Sequence, residues 1–284
     1  MIGFDAIGTI GRLGNQMFQH AALKGIARNR GFEYSLPPEY PQVQIDNYGL
    51  LEAFEMTGVD KIDFTHHKKT VQEAHFHFDE NIFNECSDNT NIFGFFQSEK
   101  YFKNVEDEVR KDYTFKKEWL EPCQEFMKQF EGQEVAFLHV RRGDPNLTDK
   151  RGFKWAYVNL QDQHPVQPLE YYEEALKHFP EDMPIIVFSD AIDWCKEQDF
   201  FKPDRFMFSE PEDKYDDGAL VPYVDLCLMS LCSHAIIANS SMSWWGAWLQ
   251  SNPNKKVIAA KMWFGPAYSH NNTKDLYCED WEVI

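Results

Sequence analysis

The sequence predicts an α/β protein made of two Rossmann-like, doubly wound domains that face each other across a cleft and divide near residue 130. Three observations carry that expectation. Short apolar runs alternate with helical segments, each run ends in a polar cluster, and both halves of the chain begin with the same strand, loop and helix order. Parallel strands joined by right-handed crossovers would gather those polar clusters on one edge, where open α/β sheets bind ligands.

The second half has the clearer rhythm. A helical segment at 118–130 stops at Gly132, and 134–140 (EVAFLHV) reads as a buried strand followed by a polar stretch at 141–159. Pro168 opens a helix reaching 178, and 184–188 (PIIVF) is too short and too apolar for anything but a buried strand. A helix at 191–198, a strand at 205–208 and an acidic loop at 210–217 follow. The segment 221–232 is apolar nearly all round, so it is read as a buried helix. Strand 234–238, helix 242–250 and strand 256–259 complete the series. In the first half, a strand at 2–7 leads through a glycine-punctuated loop to a helix at 15–29. Between 37 and 115 the periodicity blurs, and Pro37, Pro38 and Pro41 mark a loop.

Composition excludes several functions. With 43% apolar and 15% aromatic residues the chain can bury a core and is not disordered. A net charge of -18 repels phosphate backbones, so nucleic acid is excluded as a partner and any nucleotide needs a local cationic site. No run of 18 apolar residues offers a membrane span, and Met1 to Ala6 carry no basic leader. A cytoplasmic protein is expected, peripheral to the inner membrane where its acceptor is lipid-linked. Six cysteines without a CxxC pair are expected to be free thiols, Cys227 and Cys232 serving as small hydrophobes.

Four segments could carry chemistry. His139-Val140-Arg141-Arg142-Gly143-Asp144 puts two arginines at a strand end, where planar N–H pairs suit a diphosphate; alternatively they pair with Asp144 or an acidic loop. Asn239-Ser240-Ser241-Met242-Ser243 sits at a helix start, an anion site or a plain cap. Trp244, Trp245 and Trp248 are expected to pack that helix. Gly8 to Gln19 holds Gly11, Arg12, Gly14, Asn15 and Gln16 in a loop that fits neither a dinucleotide fingerprint nor a P-loop. Phe188-Ser189-Asp190 offers a carboxylate for guanine or ribose, or for capping the next helix. No D-x-D pattern ends a strand; Asp216-Asp217 reads as a solvated face, and His75-x-His77 as an ordinary half-buried strand.

Together these segments resemble the α-1,2-fucosyltransferases of glycosyltransferase family 11, bacterial and blood-group H-like. The matching pieces are GRLGNQMFQHAA at 11–22, HVRRGD at 139–144, Phe188-Ser189-Asp190 with Trp194, and NSSMSWWGAWL at 239–249, in the family's order. The resemblance implies a GT-B-like pair of domains, 1–130 on the acceptor side and 131–284 binding the GDP-sugar. It implies GDP-β-L-fucose as donor, inversion onto the 2-hydroxyl of a terminal galactose, and no metal or other cofactor. Arg141 is then the partner of the diphosphate. The α-1,6- and protein O-fucosyltransferases share the H-x-R pattern, so fucose transfer follows more firmly than the acceptor. The chain departs from the family at Ala191, where a second acid is usual, and at Met242, where an aromatic is usual.

The residues expected in catalysis are Arg141, Asp144 and Asn15. Those expected to hold the donor are Arg12, His139, Arg141, Arg142, Asp190, Asn239, Ser240, Ser241 and Ser243. Asp144 or Asp149 could act as base, or a water-relayed path could dispense with one. A different linkage or acceptor, or a carbohydrate-binding module without turnover, are the alternatives; a kinase is disfavoured by the missing P-loop.

Overall fold

The computed structural model describes residues 1–39, 49–59, 61–62, 69–146, 154, 156–210 and 221–284. The chain forms two units, Met1–Lys117 with Asn271–Cys278 and Glu118–His270 with Glu279–Ile284. The division therefore falls at Lys117 rather than near 130, and eight residues from late in the chain belong to the first unit.

The first unit has a four-stranded parallel sheet in the order β2-β1-β4-β3, from β1 (Ile2–Gly3), β2 (Tyr34–Ser35), β3 (Lys69–Gln72) and β4 (Thr90–Phe93). Its helices are α1 (Leu13–Arg30), α2 (Leu50–Ala53), α3 (Glu80–Glu85) and α4 (Glu106–Asp112). The long α1 explains why amphipathicity is a poor guide here. Gln16, Gln19, His20 and Lys24 are all at most 1% exposed, yet each has a partner. Gln16 Oε1 accepts from the Gly49 amide, Gln19 Nε2 donates to the Gly94 carbonyl, and Lys24 Nζ meets Asp112 Oδ2 at 2.7 Å. His20 sits 2.9 Å from the Tyr113 hydroxyl, its pKa driven down to about 3 by burial and by Lys24, so it is neutral. Polar residues are thus tolerated inside because each finds at least one hydrogen-bond partner there, although Gln19 Oε1 and His20 Nε2 have none.

Two expectations for this unit are corrected. The first strand is only two residues long, the chain turning after Gly3 while Phe4 and Ile7 stay buried. His75 and His77 lie in a bend after β3, not in a strand; their rings stack 3.6 Å apart, and His75 Nδ1 is 2.9 Å from the His77 carbonyl.

The helix α5 (Lys117–Met127) starts on the last residue of the first unit's main segment and otherwise belongs to the second, which carries a six-stranded parallel sheet in the order β10-β9-β8-β5-β6-β7. Its strands are β5 (Ala136–Val140), β6 (Ile185–Ser189), β7 (Phe206–Phe208), β8 (His234–Ile237), β9 (Val257–Ala259) and β10 (Glu282–Val283). Between them run α6 (Leu169–Leu176), α7 (Ile192–Glu197), α8 (Pro222–Leu231) and α9 (Ser241–Leu249). The chain lays down β5, β6 and β7 outward in one direction, then returns to place β8, β9 and β10 on the other side of β5. That reversal is the doubly wound topology, and it leaves a switch point between β5 and β8.

All five residues of β5 and of β6 are buried, as a strand covered on both faces requires. One face packs Tyr171, Tyr172, Ala175 and Phe179 against Leu138, Val187 and Ile236. Trp244, Trp245 and Trp248 of α9 are at most 3% exposed and pack among themselves and against Trp281, so they build the unit as expected. All six cysteines are free and buried. No helix is long and apolar enough to cross a membrane among the described residues.

Candidate active site

The carboxyl ends of β5, β6 and β8 bring three of the four predicted segments to the switch point. From β5 the chain runs into Arg141 and Arg142. The carboxylate of Asp190, one residue past β6, organises both. Its Oδ2 pairs with Arg141 Nη1 at 2.6 Å, and its Oδ1 accepts from the amides of Arg142 at 2.9 Å and Gly143 at 2.8 Å. Asp190 therefore does not cap the following helix, one of the uses expected for it. The Ala191 amide is instead accepted by Ser189 Oγ at 2.9 Å.

Gly143 must be glycine for two reasons. Its φ is +75°, and an added Cβ would stand 2.7 Å from the Cβ of Ala156. That close approach threads the loop between Asp190 and the 156–159 turn. Here Tyr157 faces Arg141, whose guanidinium carbon lies 5.1 Å from the ring centroid; Arg142 stands 4.3 Å over Trp194. Burial disfavours the charge on Arg141, but Asp190 and the Tyr157 hydroxyl outweigh it and push its pKa upward, so it is a fixed cation. A guanidinium has five N–H donors, more than those two partners use.

Beyond β8, α9 begins at Ser241 with Ser240 as its N-cap in extended conformation, and no side chain caps it. The amides of its first turn have no partners within the helix, and the helix dipole is positive at this end. Two orphaned polar atoms lie beside them in the fold. His139 Nδ1 at the end of β5 and Asn239 Oδ1 after β8 are both buried without a protein hydrogen-bond partner. Burial, reinforced by Arg141 and opposed by Asp190, lowers the His139 pKa to about 4, so the imidazole is neutral at pH 7. Seven other side-chain atoms of the described residues are buried without a partner as well, and what distinguishes these two is their place at the switch point, where open α/β sheets bind ligands.

The other predicted residues sort differently. Asn239 Nδ2 bonds the carbonyls of Pro165 and Trp263 at 2.9 and 3.1 Å, and Ser243 Oγ the carbonyls of Ala238 and Ser240, so these side chains brace loops and helix start. Asp144 is exposed and accepts from the Asn146 amide at 2.8 Å, closing its own turn. Asn15 and Arg12 belong to the first unit. Asn15 Oδ1 accepts from Gln97 Nε2 at 2.6 Å, and Arg12 is the exposed residue preceding α1. Asp149 and the acidic residues 211–217 lie outside the described residues. Tyr157 and His164, which stacks on it, carry no motif in the sequence; their only signal is aromatic and histidine content in the otherwise polar loop after β5.

The glycosyl transferase family 11 profile matches residues 2–284. The chain is 29% identical to the O-antigen biosynthesis glycosyltransferase WbnK of Escherichia coli, a match covering 67% of this chain and 59% of that protein. It is 28% identical to an alpha-1,2-colitosyltransferase of Escherichia coli, covering 89% of this chain and 90% of that one. It is 24% identical to galactoside alpha-(1,2)-fucosyltransferase 2 of Sus scrofa, over 87% and 70% respectively. Among solved structures, fucosyltransferase NodZ from Bradyrhizobium superposes with a TM-score of 0.54 at 15% identity, covering 88% of this chain and 92% of that one. That likeness establishes a shared fold, the GT-B type expected from the sequence.

Proposed function

From the premise that this chain belongs to glycosyl transferase family 11, we propose that it is an inverting fucosyltransferase. In this reading it moves L-fucose from GDP-β-L-fucose to the 2-hydroxyl of a terminal galactose in a glycan, without a metal ion. The observation that carries the reading is the fixed cation of Arg141 at the switch point, one strand away from the uncapped start of α9. A departing nucleoside diphosphate gains negative charge as the glycosidic bond breaks, and pre-set donors stabilise that charge most in the transition state. Arg141 takes the β-phosphate, the first-turn amides of α9 take the neighbouring oxygens, and Ser240 and Ser241 add hydroxyls. His139 and Asn239 present their orphaned atoms to the same ligand. Asp144, exposed beside the arginine loop, is the carboxylate proposed to receive the proton of the acceptor hydroxyl. Asn15 and Arg12 of the first unit are proposed to act on the same substrates.

Colitose is a second donor sugar to consider, because the alpha-1,2-colitosyltransferase aligns over nine-tenths of its own length. Incubation with GDP-fucose or GDP-colitose and a panel of galactosides, with and without EDTA, separates the readings. An α-1,2-fucoside formed equally in EDTA is the expected product. Arg141→Ala should lower kcat by about 10²-fold or more, as loss of a transition-state donor does; near-normal turnover would remove the arginine from the mechanism. Asp144→Asn in the same assay, followed against pH, tests the base.

A further inference from the structure

Arg141 is held on its ring-facing side by a column of aromatic groups that no motif announces. Tyr157 lies 5.1 Å from the guanidinium. His164 stacks on Tyr157 with centroids 5.0 Å apart and planes 18° from parallel, and Phe264 and Tyr268 pack against the imidazole at 5.9 and 5.5 Å. The column is built into the fold rather than draped over it. The His164 amide donates to the Leu160 carbonyl at 2.7 Å, the Gly265 amide to Gln163 at 2.9 Å, and the Ala267 amide to Asp162 at 2.7 Å. A Cβ on Gly265 would stand 2.5 Å from the carbonyl oxygens of Gln161 and Asp162, so the segments touch backbone to backbone. Asn239 bonds both of them, and the Tyr157 hydroxyl donates to the Asn239 carbonyl at 3.3 Å.

We propose that His164 is a positioning residue that holds Arg141 through Tyr157 and senses the charge bound there. The proposal rests on the diphosphate assignment above and deepens it. The stack fixes the ring that the guanidinium faces, so removing the imidazole loosens the cation. The sensing follows from electrostatics. His164 is half-buried, and its pKa is lowered first by burial and then by Arg141. An anion bound to Arg141 cancels that second contribution, so the imidazole gains proton affinity when the diphosphate arrives. Coupling of this kind is reciprocal, and protonating His164 must then tighten diphosphate binding.

The other charged and titratable groups around the column, among the described residues, do not imitate this. Tyr157 and Tyr268 are the two phenols that pack against the imidazole. His270 lies on the far side of Tyr268, at 6.2 Å. Asp162 sits in the His164 turn, and Asp190 faces Arg141 from β6. His139, also near Arg141, titrates near pH 4, below the range that matters.

GDP-fucose is the probe for the test, because both its phosphates are esterified and its charge is constant from pH 5.5 to 8. Calorimetry with the whole chain, in two buffers of different ionisation enthalpy, reads affinity and proton uptake together. Wild type is expected to bind about fivefold more tightly at pH 5.5 than at pH 8, with proton uptake on binding. His164→Phe keeps the stack and should bind within about twofold of wild type at pH 8, with its pH dependence and proton uptake gone. His164→Ala, losing the stack as well, should bind at least about fivefold more weakly at pH 8. Linkage that persists in the phenylalanine variant, or is missing in wild type, overturns the sensing role. Unchanged affinity of the alanine variant overturns the positioning role. No binding of GDP-fucose at any pH overturns the donor assignment itself, and this inference with it.

Discussion

An arginine at the end of a buried strand is useful to a leaving diphosphate only if its guanidinium stays in one place and keeps donors in hand. Asp190 achieves the first by a division of labour between its two oxygens, one on the Arg141 side chain and the other on the amides of Arg142 and Gly143. Two substitutions separate these jobs. Asp190→Asn keeps an oxygen for the amides and loses the ion pair; Asp190→Ala strands the amides as well, at about 1–3 kcal/mol for groups left unsatisfied. The alanine variant is therefore expected to melt below the asparagine variant, while both bind GDP more weakly than wild type, as thermal melts with and without GDP would show. Equal melting temperatures would mean the loop finds other acceptors. The arginine pair and the serine turn were legible from sequence because their residue types suit anions. The role of Asp190 was not, since a carboxylate 49 positions from Arg141 is tied to it only by the pairing of β5 with β6. Tyr157 and His164 were invisible for a related reason: stacking has no spacing rule along the chain.

Elements were legible in proportion to how much they rely on their own sequence. β5, β6, β8 and β9 are apolar runs of three to five residues bounded by turns, and they appear where the pattern puts them. β2 and β10 are two residues each and have no period to read; they exist because a neighbouring strand offers its edge. In α1, buried Gln16, Gln19, His20 and Lys24 conceal the inward face, because each has a partner far along the chain, Gly49, Gly94, Tyr113 and Asp112 in turn. α8 holds a further buried acid. Burial raises the Asp225 pKa to about 7, partly offset by the hydrogen bond from Ser209 Oγ at 2.6 Å. The folded state then keeps a proton that the unfolded chain releases near pH 4, so this group's stabilisation is full at low pH and is lost as pH rises towards 7. Asp225→Asn should flatten the dependence of melting temperature on pH between 4 and 7 and should melt above wild type at pH 8. A variant whose melting temperature falls with pH as steeply as wild type would place the proton elsewhere.

At the scale of the molecule, the polypeptide passes between its two units three times, after Lys117, His270 and Cys278. The second sheet is finished only by the last pass, when Glu282 and Val283 pair with Ile258 and Ala259 and the Ile284 amide donates to Ala259. A fragment spanning 118–270 would leave β9 as a bare edge and remove Trp281 from its contact with Trp244. It is expected to elute from a sizing column as aggregate, and adding back a peptide of 279–284 should not fully restore it, because a tethered strand has a far higher local concentration than a free one. A soluble monomeric fragment would show the edge to be dispensable.

This threading also governs how such proteins can recombine. A chimera made with a single crossover between two relatives would inherit β9 from one parent and β10 from the other whenever the junction fell between them, mating a sheet edge with a foreign strand. Exchanging the second unit intact means moving 118–270 and 279–284 together while the intervening octapeptide stays with its host.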